Sequence, residues 1–296
     1  MHPAPSVILF STLSGAGFGL FVFLGLMPVP PVGWAAFVFF AVAYALSVAG
    51  LLSATFHLKN KKNAWKSYRE WRTSWLSREA WAAVFALLTM AVYAIALIFF
   101  GVHLAPVGWL GAILSLATVF TTAMIYTQLR AVPRWNQTAT PLMFLTFSLA
   151  GGAMLSGFVT VAAAFLLAAG GVLLWHWWKG DRRFAEAGTT IQSATRLHDR
   201  VTLFEKPHTG DNYLTREMVF RVARKHAVKL RVIAFVLAVV FPLILLLLPM
   251  SHALAAVAIL SHLAGVLTTR WLFFAEAEHV VGLYYGAHLG KQARAA

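Results

Sequence analysis

The chain has 296 residues, of which 60% are hydrophobic and 11% charged, yet its formal charge is +14 from 24 Lys and Arg against 10 Asp and Glu. An average globular domain is about 25% charged, so a soluble fold of this length has nowhere to hide so much apolar surface. The absence of cysteine excludes a disulfide scaffold, and it excludes thiolate-held metals or clusters in this chain itself.

A membrane-crossing helix needs about 20 mostly apolar residues. In chain order, such runs cover 7–27, 32–56, 80–100 and 107–128. The next apolar stretch, 141–178, is long enough for two spans, and Gly151, Gly152 and Gly157 offer places to turn. It divides into 141–158 and 160–178. After a long basic segment, 179–231, two further runs cover 232–248 and 253–274. The expectation is therefore an all-α integral membrane protein, an eight-helix bundle forming one domain over 1–296. Helices are required because unpaired backbone cannot cross lipid. The first run lacks the basic leading segment of a signal peptide, since His2 is the sole candidate charge before it.

The charges then fix an orientation. Segment 58–79 holds seven basic residues, 129–140 holds Arg130 and Arg134, 179–231 holds twelve, and the C-terminal end holds Arg270, Lys291 and Arg294. Together these are all 24 Lys and Arg of the chain, and the alternate connections, such as MPVPPVG and GVHLAP, carry none. Positive-inside logic places both termini and every long loop in the cytoplasm. Basic loops there suit a cytoplasmic docking partner, although topology alone would also explain them.

Chemistry-bearing residues gather at the same interface. His57 ends the second helix, and a loop of aromatic and basic residues follows it: Trp65, Lys66, Tyr68, Arg69, Trp71, Arg72 and Trp75. Interfacial aromatics and lipid-binding arginines account for much of that pattern. A histidine at this depth also donates hydrogen bonds and titrates near neutrality. Glu79 opens the third helix at the same level. A hydrogen-bonding histidine beside a carboxyl is suited to a quinone, one group holding a carbonyl oxygen and the other relaying protons. A haem would need axial histidines facing each other at one depth. His103, His252 and His262 fall toward the outer side and His176 near the inner end of the sixth helix, so no pair is set by spacing. No Asp, Glu, Lys or Arg falls mid-span and no internal repeat is evident, which speaks against a transporter. A purely structural anchor without a quinone site remains open at this point.

Four stretches of the sequence carry more than physics: HPAPSVILFSTLSGAGFGL, FHLKNKKNAWKSYREWRTSWLSREA, IYTQLRAVPRWNQTATPLMF and RWLFFAEAEHVVGLYYG. They resemble the DmsC family of membrane anchor subunits of molybdenum oxidoreductases, from end to end. The resemblance implies an eight-helix anchor that exchanges electrons with ubiquinone or menaquinone. It also implies two partners, an iron–sulfur subunit and a molybdopterin catalytic subunit, docked on the basic loops; no nucleic-acid partner is expected, and the unpaired histidine spacing argues against haem. It implies that His57 and Glu79 form the quinone site, with Tyr126 and Arg69 as further candidates and no metal ligand in this chain. The family's usual His-Leu-Gly-x-Pro-x-Arg is altered here to Lys59, Lys61 and Asn63, so Lys61, Lys62 or Arg69 would have to supply the basic group. The segment FEKPHTGDNYLTREMVFRVARKHAVKLR is similar to the long loop of SoeC-type anchors, which serve cytoplasmic sulfite dehydrogenases. With the inward orientation, this implies electron flow from sulfite to quinone at the bacterial inner membrane. An anchor that oxidises quinol for a DMSO or tetrathionate reductase is the alternative. At the tail, Glu276, Glu278, His279, Tyr284 and Tyr285 suit headgroup contact and docking.

Overall fold

A computed structural model describes residues 1–56, 61–198, 201, 204–205, 210, 212–218, 226–249 and 251–285. The apolar runs become helices α1 (Pro5–Leu26), α2 (Gly33–Thr55), α3 (Trp75–Phe99), α4 (Ala105–Thr127), α5 (Ala139–Leu155) and α6 (Val159–Glu186). A short α7 (Ile191–Thr195) follows, then α8 (Ala227–Phe235), α9 (Phe241–Leu246) and α10 (His252–Ala275). A π turn, Val236–Val240, joins α8 to α9 into one 20-residue run, Ala227–Leu246. Seven of these helices are long and apolar enough to cross a membrane. The eighth expected span, α5, has 17 residues and is therefore about 25 Å long. It packs against α1, α4, α6 and α10, which bury most of its residues, while Leu142 is exposed.

Two expectations shift. α6 runs through to Glu186 instead of ending near 178, and its 28 residues extend about 42 Å, past a hydrocarbon core of about 30 Å. Of the three glycines offered as turning points, Gly157 alone takes a positive φ, +80°. Gly152 lies inside α5, pressed against Gly19 of α1, where a Cβ would come within 2.2 Å of backbone. There the missing side chain permits α1 and α5 to touch backbone to backbone, and Ser148 Oγ donates to Gly15 O at 2.6 Å beside that contact.

The π turn has a local cause. Pro242 has no N–H to return to the carbonyl of Ala238 one helical turn back, and its ring crowds that oxygen. His262 of α10 supplies the missing partner through Nδ1, 2.7 Å from Ala238 O, and Ser261 Oγ donates to Leu237 O at 2.9 Å. Gly265 completes the seam, because a Cβ there would lie 2.1 Å from Ala238 N.

One end of the bundle gathers the polar contacts. Arg231 Nε meets Glu276 at 2.7 Å, and its other nitrogens grip Asp181 at 2.7 and 2.8 Å. Arg134 pairs with Asp181 and, at 3.4 Å, with Glu276. These four residues tie the α4–α5 connection, α6, α8 and the end of α10 together. Trp135 Nε1 donates to Phe273 O at 2.8 Å, Met1 N donates to Ala277 O, and Ser53 Oγ donates to Ser6 O at 3.0 Å. Every described Lys and Arg belongs to this end, Arg270 being the one that enters the bundle core.

Candidate functional site

At this charged end, between the start of α1, the end of α2, the start of α3 and the end of α4, lies a cavity of about 590 Å³. Its walls are apolar: Val7, Phe10, Leu51, Ala83, Leu87 and Ile125 are typical. Three polar side chains interrupt them, namely Glu79, Tyr126 and Tyr68. Volume and composition fall in the range of small-molecule sites, which are mostly apolar with a few placed polar groups.

Each polar group is set by its element. Glu79 is the fifth residue of α3, about 6 Å along the helix axis from its start, and is 4% exposed. Its carboxylate accepts a hydrogen bond from Thr122 Oγ1 of α4. Tyr126 stands one turn after Thr122 on the same face of α4. Its ring is clamped among Trp135, Phe144, Phe273 and Phe274, with centroids 5.3–5.8 Å away. Tyr68 ends the short 3-10 segment, and its carbonyl accepts from Trp81 Nε1 at 3.0 Å while its ring meets the Trp81 ring edge-on. Arg78 holds the rest of that connection, donating to Trp71 O at 2.9 Å and Arg72 O at 2.7 Å from above the Trp75 ring.

Of the residues expected at a quinone site, the structure brings Glu79 and Tyr126 together. Arg69 stands apart, exposed, with its guanidinium 4.2 Å from the Trp65 ring centroid. His57 and Lys59 lie outside the described residues, as do the side chains of Lys61 and Asn63 and residues 206–209, 211 and 219–225. In sequence, His57 comes three residues after Ala54, which lines the cavity. Thr122 and Tyr68 join the site without a clear signal in the sequence. Thr122 was detectable only by its i, i+4 relation to Tyr126.

The histidines considered for haem have other surroundings. His103 is exposed in the α3–α4 turn, whereas His262 sits ten residues into α10 against Ala238 O, about 15 Å deeper. It is thus mid-span, deeper than expected, and its ring serves the π turn. His176 is buried on α6, 5.8 Å from the Phe273 ring. Among the described residues, no group of three or more His, Asp or Glu is placed to hold a metal. The tail groups also turn inward. Glu276 joins the ion network, Tyr284 OH donates to Ala194 O at 2.6 Å, and Asn212 Nδ2 donates to Tyr285 OH at 3.3 Å. Outside the membrane-spanning segments, burial and the nearby N-terminal ammonium hold His279 below the usual histidine range.

A helical bundle with a lipid-compatible exterior and a carboxyl-bearing apolar cavity at its charged end is the architecture of a membrane subunit. Similarity to known proteins makes the class specific. The sequence profile described as DMSO reductase anchor subunit (DmsC) matches residues 1–286, and the chain belongs to that family. It is also 33% identical, over 96% of its length and 99% of the relative's, to the C subunit of sulfite dehydrogenase from Allochromatium vinosum. No solved structure matches.

Proposed function

We propose that this chain is the membrane anchor and quinone-reactive subunit of a cytoplasm-facing molybdenum and iron–sulfur oxidoreductase, passing electrons from sulfite to membrane quinone. The observation that carries this reading is the cavity holding Glu79, Tyr126 and Tyr68 at the end of α2 from which His57 follows. The similarity to a sulfite dehydrogenase subunit supports sulfite as the electron source. Eight spans with both termini inside complete the proposal. α5 counts as the eighth, since a helix packed mostly against protein need not match the full lipid thickness.

The residues present fit a quinone. Apolar walls accept a flat ring and the start of an isoprenoid tail, while a carboxyl and two phenols provide hydrogen-bonding groups. Bound quinone supplies the two-electron, two-proton carrier. Within the chain, Glu79 holds and passes a proton at its carboxyl, Thr122 fixes the direction of that carboxyl, and Tyr126 forms a rigid wall. His57 offers a donor to a ring oxygen. Placement at the charged end keeps the cavity close to an iron–sulfur partner docked on the basic loops and lets protons enter from that side.

The test uses the intact complex. Glu79→Gln and His57→Ala should each slow sulfite-to-quinone electron transfer by about 10²-fold, the low end for a positioned acid–base group. Sulfite oxidation with a water-soluble electron acceptor should stay at the wild-type rate. Wild-type quinone turnover in either variant would remove that residue from the site.

A further inference from the structure

Among the described residues Arg270 is the largest fully buried side chain, at 2% exposure, on a helix otherwise free of charge. Its Nε and Nη1 have no hydrogen-bond partner among them. Beside it, Ser11, Thr12, Ser148 and His262 line a void of about 10 Å³, room for a single water, and Thr12 Oγ1 is also buried and unpartnered. Glu276 and Asp181 pair with Arg134 and Arg231, Glu79 accepts from Thr122, and among the described residues no ion pair reaches Arg270. A buried cation without a counter-ion is costly and calls for an explanation.

Its position supplies one. The guanidinium carbon lies 3.4 Å from the Phe144 ring centroid, a cation–π contact. Phe144 in turn stacks on Tyr126, with centroids 5.8 Å apart and planes 29° from parallel. The charge is therefore at most those two distances together from the centre of the Tyr126 ring, and Tyr126 lines the cavity together with Glu79. Phe144 and Tyr126 are both buried, so bulk water screens the interaction weakly.

We propose that Arg270 is the fixed positive charge of the quinone cavity, acting through the Phe144–Tyr126 stack to favour ring ligands whose oxygen bears negative charge. This rests on the quinone reading above. It makes Arg270 a positioning charge, not a catalytic residue, and it assigns the charge a use: negative charge arriving with electrons is held until protons follow through Glu79. At an effective dielectric constant of about 20 and a separation on the order of 10 Å, one unit charge changes the affinity for an anion roughly tenfold.

Binding of two probes to the full-length chain in detergent distinguishes the outcomes. One is a hydroxynaphthoquinone whose acidic hydroxyl is ionised at neutral pH; the other is its methyl ether, of nearly the same shape and neutral. Arg270→Gln should weaken the anion roughly tenfold while the ether binds as before, and Arg270→Lys, which retains the charge, should restore the preference. Arg72→Gln, which removes an exposed charge from the loop, should leave the ratio of the two affinities unchanged. An unchanged ratio in Arg270→Gln overturns the role of Arg270 while leaving the quinone site standing. Equal loss of both probes, without rescue by lysine, overturns it in favour of a packing role. Failure of the wild-type chain to bind either probe overturns the quinone reading, and this inference with it.

Discussion

Thr122 stands behind the cavity wall, and its hydroxyl donates to the Glu79 carboxyl and aims it. Replacing it with Val conserves shape and deletes the hydrogen bond. A lost hydrogen bond of about 0.5–1.5 kcal/mol corresponds to a roughly three- to tenfold drop in quinone turnover. That is well short of the loss expected from Glu79→Gln, and steady-state rates of the two variants in the complex compare them directly. If both losses were equal, Thr122 would be exchanging protons itself instead of orienting a carboxyl. Glu79 is legible in the sequence because a carboxyl at a helix start is conspicuous in so apolar a chain, whereas Tyr126 is reached only through the family resemblance. Thr122 is not legible, since threonine is commonplace in helices and its partner lies 43 residues away. Tyr68 is one interfacial aromatic among several by sequence, and only the turn that Trp81 and Arg78 impose carries its ring to the cavity.

Helix positions follow from apolar run length, and their ends shift by a few residues where polar but helix-forming sequence prolongs a span, as in Lys179–Glu186 of α6. What run length does not reveal is how α8 and α9 stay joined across Pro242. The histidine repairing that break comes from another helix and resembles a haem candidate by composition alone. His262→Ala should leave a buried carbonyl unpaired and cost about 1–3 kcal/mol. In a Pro242→Ala background the restored N–H can return to Ala238 O, so the same change should cost clearly less. Thermal unfolding of the four chains in detergent gives that coupling, and additive losses would show that Pro242 and His262 act independently. The closing 3-10 segment, Val280–Tyr285, gives a pH-dependent counterpart. There Val281 N donates to His279 Nδ1 at 3.0 Å, a bond that requires a neutral ring. With the native histidine held below its ordinary value, the released segment binds protons more readily than the docked one. Docking is thus fully supported above about pH 6.5 and weakens as pH falls through that value. Hydrogen-exchange protection of 280–285 should drop between about pH 7.5 and about pH 5 in the wild-type chain. In His279→Gln it should be nearly level across that interval.

At the scale of the molecule, the one-sided distribution of Lys and Arg is readable from sequence, and the structure accounts for part of it by stitching. Arg134 and Arg231 bind Asp181 and Glu276, so some of the basic excess holds helices together instead of facing a partner. Others are exposed, among them Lys66, Arg69 and Arg72 on the α2–α3 connection and Arg130, Arg182 and Arg196 beyond it. Orientation then decides the energetics. Sulfite oxidation, the charged end and the Glu79 cavity all on the cytoplasmic side would mean that electrons and protons reach quinone from one compartment, with no net charge crossing the bilayer. The absence of native cysteine makes this directly measurable, because a single introduced thiol reports its own side. Val29, 88% exposed in the α1–α2 turn, and Lys66 in the basic connection are the informative positions. In spheroplasts, an impermeant maleimide should label Val29→Cys at once and Lys66→Cys only after permeabilisation. Proteoliposomes of the complex should reduce quinone with sulfite without building a membrane potential. The opposite labelling pattern would place the cavity outside and reverse the argument: electrons from a cytoplasmic catalytic partner would then have to cross the membrane, and sulfite-driven turnover would generate a potential.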